Sequence, residues 1–152
     1  MSTNVKPIPD GYHSVTPYLI VKGVAALIDF LKEAFDAVET ERLPGPDGTI
    51  GHAEVRIGDS IVMMGEGEHF EPMPAAIYLY VNDIDAAYAK ALAAGATTVM
   101  EPADQFYGDR SGGVKDAFGN LWFVATHKED VSPEEMARRA AARAKSAEAA
   151  QK

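Results

Sequence analysis

The sequence predicts an α+β protein made of two consecutive copies of one strand–helix–strands unit. Three observations lead there. Segments about 60 residues apart match in order: Tyr18-Leu19-Ile20-Val21 falls on Tyr78-Leu79-Tyr80-Val81, and Val24 and Ala26 fall on Ile84 and Ala86. A later piece fits one residue further along, with Gly58-Asp59-Ser60-Ile61-Val62 on Gly119-Asn120-Leu121-Trp122-Phe123. Nearly constant spacing in unbroken order marks a duplicated unit. Each copy also opens with a short β-branched and aromatic run and passes into a helical apolar stripe. Finally, 152 residues, 47% of them hydrophobic, can bury a core without disulfides or metal.

The domain is expected over 12–126, as units 12–70 and 75–126. The first unit should begin with a strand over 17–21 and a helix over 24–37 that buries Leu27, Ile28, Leu31 and Phe35. Pro44-Gly45-Pro46-Asp47-Gly48 then forms a turn. Over 51–57, Ala53, Val55 and Ile57 alternate with His52, Glu54 and Arg56, so one strand face belongs to the core and the other is wet or lines a polar cavity. Gly58-Asp59 is a tight-turn signal into a strand over 60–64. A polar connector, 65–74, follows.

In the second unit a strand over 77–81 precedes a helix capped by Asn82 or Asp83, with Asp85 placed for a capping box. Ile84, Tyr88 and Leu92 form its apolar stripe, and Gly95 stops it. Residues 101–113 read as a long loop, and 121–125 as the last strand. Ser132, Pro133 and Glu135 start a C-terminal helix over 132–149, Ala-rich and charged, with Met136 as its large apolar anchor.

Fourteen Lys and Arg against 23 Asp and Glu give a net charge of −9, which repels a phosphate backbone. No apolar run approaches the roughly 18 residues of a membrane-spanning helix. The first ten residues are polar and Pro-rich, unlike a secretory signal. The expectation is a cytoplasmic protein that binds neither nucleic acid nor membrane. With no cysteine, the chain has no disulfide framework, Cys-ligated zinc, iron–sulfur centre or thiol nucleophile.

His52 and Glu54 stand two apart on one strand, so both reach the same face and can act on a common atom. They are the candidate catalytic pair, His52 as base or ligand, with Tyr107, Asp109 or Arg110 as expected partners. The alternative is an ordinary polar strand surface. Arg56 shares that face and is a candidate ligand contact. Arg110 offers a planar donor fork to a ligand carboxylate or phosphate, or else pairs with Asp104, Asp109 or Asp116 to hold its loop. Tyr107 and Phe123 are candidates for stacking on a planar ligand, with core packing as the alternative. His13 and His127 flank the units and read as peripheral, and His69 sits in the acidic connector.

The two β-α-β-β-β-like units resemble the vicinal oxygen chelate superfamily of glyoxalases, dioxygenases and bleomycin-binding proteins. The likeness rests on Thr16-Pro17-Tyr18-Leu19-Ile20-Val21, Gly51-His52-Ala53-Glu54-Val55-Arg56-Ile57-Gly58-Asp59 and Asp116-Ala117-Phe118-Gly119-Asn120. Ala103-Asp104-Gln105-Phe106-Tyr107-Gly108-Asp109-Arg110-Ser111-Gly112-Gly113 is similar to a loop of its PhnB-like branch. The resemblance implies two βαβββ modules forming an open, curved mixed-sheet barrel around a ligand cavity, and a homodimer. Metal-using members place a His, Gln or Glu ligand on the first and last strand of each module. Here those positions are Thr16, Val62 (or Met63), Ala76 and Phe123, which make a cavity wall rather than a chelate. Tyr18, Tyr78 and Tyr80 share strand parity with Thr16 and Ala76, and would add directional hydrogen bonds to that cavity, with ordinary packing as the alternative. The expectation is therefore a metal-independent small-molecule binding or sequestering protein. No cofactor is predicted, and a divalent metal at a displaced site is left open. The alternative is a lyase, isomerase or oxygenase-like enzyme acting on a small oxygenated substrate.

Overall fold

Each unit folds as strand, helix and three further strands. The first contains β1 (Tyr18–Ile20), α1 (Val24–Phe35), β2 (Val38–Pro44), β3 (Ile50–Ile57) and β4 (Ser60–Gly65). The second contains β5 (Ala76–Tyr80), α2 (Ile84–Ala93), β6 (Thr97–Asp104), β7 (Asp109–Lys115) and β8 (Leu121–His127), and α3 (Pro133–Ala150) follows. The computed structural model describes residues 4–67 and 69–151, so residues 1–3 of the polar N-terminal stretch and Glu68 of the connector lie outside it. Among the described residues no helix is long and apolar enough to cross a membrane.

The two sheets have the same order, β1-β4-β3-β2 and β5-β8-β7-β6. In each, the first strand runs parallel to the last and the remaining pairs are antiparallel. Equivalent rungs are Tyr18–Met63–Glu54 and Tyr78–Phe123–Gly113. One face of each sheet carries Leu19, Ala53, Val55 and Met64, or Trp122, Val124 and Val114, and packs under the helices. Both halves contribute to one core: Phe35 of α1 meets Trp122 of β8 with ring centroids 5.3 Å apart.

The curved open barrel expected from the resemblance does not form. The sheets remain two separate four-stranded layers, and among the described residues no strand pairing joins one to the other. The reason lies at the edges and in the core. The free edge of β1 is taken by the connector, where Met73 bridges Ile20 and its N–H donates to the Ile20 carbonyl at 3.1 Å. The two units instead meet helix to helix through the shared core, so each sheet turns its other face outward.

Local chemistry explains most boundaries. Gly23, at φ 106°, turns the chain into α1, and the connector's Glu66 carboxylate accepts from the N–H groups of Gly23 (3.2 Å) and Val24 (2.8 Å). Asp83 caps α2 by accepting from Ala86 N–H at 3.1 Å. Asp85 makes no capping box and pairs with Arg110 instead. The predicted loop over 101–113 is largely strand, the end of β6 and most of β7. Its glycines misled the sequence reading, yet they are what allow the pairing. A Cβ on Gly112 would lie 3.1 Å from the Met100 carbonyl and 3.2 Å from Pro102 N, so glycine lets the bulged β6 come this close without displacing its backbone. β2, with the sequence VETERLP, is an exposed edge strand that alternation does not reveal. α3 starts at Ser132 as expected, but arginines hold it. Arg139 bonds Glu129, Glu135 and the Phe106 carbonyl, and Arg143 lies 4.7 Å over the Phe106 ring.

The β7–β8 turn is organised by Asp116, whose buried carboxylate accepts from Phe118 N–H (2.8 Å), Asn120 N–H (3.0 Å), Asn120 Nδ2 (3.0 Å) and Trp122 Nε1 (2.9 Å). Asn120 in turn accepts from Ala75 N–H at 2.8 Å, tying the connector to the second sheet. Asp116→Ala leaves several buried donors unmatched, at about 1–3 kcal/mol each. Urea denaturation should show a loss of about 3 kcal/mol or more, with Asp116→Asn losing less.

Candidate functional site

On the outward face of the first sheet, the alternation of β3 brings His52, Glu54 and Arg56 to one side, with Tyr18 of β1 and Met63 of β4 beside them. Glu54 is only 4% exposed. It bonds His52 Nε2 at 2.7 Å through Oε2, and Oε1 accepts from the Tyr12 phenol. Tyr18 reaches the other ring nitrogen, His52 Nδ1, at 3.3 Å. Gly65 makes that reach possible, since a Cβ there would lie 2.7 Å from the Tyr18 hydroxyl. Burial pushes the Glu54 carboxyl up, but its bonds with Tyr12 and His52 outweigh burial and hold it below the ordinary carboxylate range. The same bond pushes the Tyr12 phenol up to about 12, so it stays a donor.

The second sheet carries a separate cluster around Asp109, which is 3% exposed. Its Oδ2 accepts from Tyr78 (2.8 Å) and Tyr80 (2.9 Å), and its Oδ1 lies 2.8 Å from His127 Nδ1. His127 Nε2 lies 2.7 Å from Asp130, and the Tyr107 hydroxyl is 3.4 Å from that of Tyr78. Burial raises the Asp109 carboxyl, but His127, Tyr78 and Tyr80 together draw it below its ordinary value. The two carboxylates beside His127 raise its imidazole. Burial, then Tyr107 and Asp109, raise the Tyr78 phenol. Ser111 Oγ, also buried, has no hydrogen-bond partner among the described residues.

The expected partners of His52 are thus divided differently. Tyr107 and Asp109 serve the second sheet, and His52 and Glu54 are joined by Tyr12 and Tyr18. Arg110 lies on the helix-facing side, bound to Asp85 at 2.9 and 3.0 Å and to Asp104 at 3.4 Å. Arg56 is exposed at the end of the first outer face. Val62 is in the core, and the residue facing outward across from Tyr18 is Met63. The offset of 60 therefore continues through β4 and β8, because the longer β7–β8 turn absorbs the extra residue that alignment on Gly58 and Gly119 carried into the strand.

Thr16 donates its hydroxyl to the His13 carbonyl at 3.1 Å, while Ala76 and Phe123 share the second outer face with Tyr78. A Cβ on Gly113 would lie 3.3 Å from the Phe123 ring, so this glycine makes room for it. Thr16, Met63, Ala76 and Phe123 supply no imidazole or carboxylate and do not fit a metal. Sequence reasoning missed Tyr12, Glu41, His127 and Asp130. Strand parity with Phe123 and Ala125 would have found His127.

A groove of about 420 Å³ lies beside the first cluster, lined by Tyr18, Ile20, Gly51, Gly67, His69 and Phe70. A cleft of about 460 Å³ between the helices, lined in part by Asp36 and Lys90, touches the second cluster through Tyr80.

A duplicated βαβββ unit with polar clusters on its outward sheet faces defines the class, and the sequence agrees. The chain belongs to the Glyoxalase/Bleomycin resistance protein/Dioxygenase superfamily, whose pattern matches residues 11–124. It is 39% identical over 148 residues to the uncharacterized protein Mb0911c of Mycobacterium bovis, covering 90% of this chain and 93% of that one. The uncharacterized protein Rv0887c of Mycobacterium tuberculosis is also 39% identical, with 90% and 84% covered. Among solved structures, TioX from Micromonospora sp. ML1 is similar at TM-score 0.67 and 26% identity, covering 76% of this chain and 98% of that one. The gene product At5g48480 of Arabidopsis thaliana is similar at TM-score 0.62 and 26% identity, with 74% and 98% covered.

The Asp109–His127 pair carries a signed pH dependence. A raised imidazole contributes stability that is full below the unfolded value of about 6.5 and is lost as pH rises through the folded value. The lowered Asp109 carboxyl contributes stability lost only as pH falls through its own folded value. Urea unfolding of the wild type and His127→Asn should therefore differ more at about pH 6 than at about pH 9.

Proposed function

We propose that this chain is a small-molecule binding protein whose ligand lies on an outward sheet face. The observation that carries this reading is the 420 Å³ groove lined by Tyr18, His69 and Phe70, whose Tyr18 hydroxyl reaches His52 at 3.3 Å. Its size falls within the range of small-ligand sites. Tyr18 and Phe70 are 48% and 66% exposed, leaving aromatic surface for a planar ligand. The ligand's apolar body packs on these rings, and its polar end meets the phenol–imidazole–carboxylate chain of Tyr18, His52 and Glu54. Tyr78, Tyr80 and Phe123 make an analogous aromatic face on the second sheet. Binding of this kind needs no metal at Thr16, Met63, Ala76 or Phe123.

In this reading the protein works as a homodimer of the PhnB-like branch. The similarity of residues 103–113 to a loop of that branch supports the placement. Support for a dimer comes from exposed apolar side chains, including Val38, Leu43, Val99 and Met100. One observation favours a second reading, turnover of a small oxygenated substrate. The 2.7 Å contact between His52 and the buried Glu54, next to the groove's Tyr18, supplies a candidate base.

A thermal-shift and native mass-spectrometry screen of planar small molecules should yield binders. Tyr18→Ala and Phe70→Ser should each weaken them by about tenfold, the loss of roughly 1.4 kcal/mol of contact. A screen without binders, or binding unchanged in both variants, would sink the reading. Turnover abolished by His52→Ala in a folded protein would favour the enzyme instead. Sedimentation should show a dimer, and a concentration-independent monomer would count against it.

A further inference from the structure

The first outer face contains an electrostatic arrangement that ligand binding does not explain. Glu41 of β2 stands directly across from Glu54 of β3. A register shift between Glu39 and Glu41 puts it there: Glu39 pairs with Val55, whereas Glu41 pairs with Glu54, leaving Thr40 as the extra residue. Such bulges re-aim side chains. Thr40 stabilises this one, its hydroxyl donating to the Glu54 carbonyl at 3.2 Å. The result sets two carboxylates face to face, one of them buried, an arrangement that like-charge repulsion opposes.

Among the described residues no lysine or arginine pairs with either carboxylate. Lys32 of α1 and Arg42 of β2 both pair with Glu39. Among the described residues the basic partner of Glu54 is His52. One ligand atom from each of Glu41, His52 and Glu54 lies within 4.8 Å of the others.

We propose that Glu41, His52 and Glu54 bind a divalent first-row transition-metal ion, at a site one strand pair away from the superfamily's four positions. The donor set, two carboxylates and one imidazole without thiolate, suits zinc, manganese or iron. Donor atoms around such an ion stand about 3 Å apart, and His52 Nε2 and Glu54 Oε2 are already 2.7 Å apart. The ion takes the place of the proton between these two atoms, and that proton leaves to solvent. Tyr18 on His52 Nδ1 and Tyr12 on Glu54 Oε1 orient the two ligands from behind, as supporting residues do in metal sites. The ion would neutralise the facing carboxylates, which explains why the bulge sets Glu41 opposite Glu54. This site goes beyond the proposed binding function and does not depend on it.

Chelator-stripped protein titrated with Zn²⁺ by calorimetry, with elemental analysis after dialysis, tests the proposal. One ion per chain is expected. Glu41→Gln, at an exposed position that leaves the core intact, and His52→Ala should each weaken binding by at least about tenfold. His127→Asn should leave it unchanged, which separates this site from the Asp109–His127–Asp130 cluster. Failure to bind Zn²⁺ stoichiometrically, affinity unchanged in Glu41→Gln and His52→Ala, or loss only in His127→Asn would each overturn the assignment. None of these readouts uses the groove's small-molecule ligands, so they fail or succeed separately from the binding function.

Discussion

The shared core beneath the two helices decides the rest of the architecture. With Phe35 packed on Trp122, and α1 and α2 both contributing to one apolar cluster, each sheet must give its helix-bearing face to the interior. Its other face is then free for polar and aromatic side chains. Joining the units through helices also leaves their strands in separate sheets. Closure into a barrel would require backbone pairing between the sheets, and the connector's bridge to Ile20 already occupies the edge of β1.

That arrangement lets two pseudo-equivalent faces diverge in chemistry. The rung Tyr18–Met63–Glu54 corresponds to Tyr78–Phe123–Gly113. In the first sheet a glutamate fills the β3 place, with a histidine two residues before it. In the second, glycine fills the equivalent place on β7 because the Phe123 ring needs the space, and the carboxylate appears at Asp109, opposite His127. Both solutions bury a carboxylate whose desolvation is offset by phenol donors and an imidazole. The same scaffold therefore supports two different polar sites, each built from strand parity plus one residue from outside its own module's central strands: Tyr12 in one case, Asp130 in the other.

Several features were legible because they depend on nearby residues. The helix stripes, the Gly58-Asp59 turn, the Ser132 cap and the face shared by His52 and Glu54 follow from periodicity and local hydrogen bonding. β6 and β7 were not, because Gly112 and Gly113 read as loop residues when considered alone. They are strand residues here because the bulged β6 backbone crowds Gly112 and the Phe123 ring crowds Gly113, so a side chain at either would press on its neighbour. Val62 and Met63 show a similar limit: a one-residue error in the offset exchanges the core face for the outer face, and only the strand register with Tyr18 separates them.

By itself, the sequence determined the duplication, the identity of the helices and the acidic charge. These properties are carried by residue type and by spacing along the chain. Only the tertiary structure decided that the units join through helices, that Arg110 turns away toward Asp85, and that Glu41 faces Glu54. Those outcomes depend on contacts between residues distant in sequence, where packing and a single bulge decide the direction of a side chain.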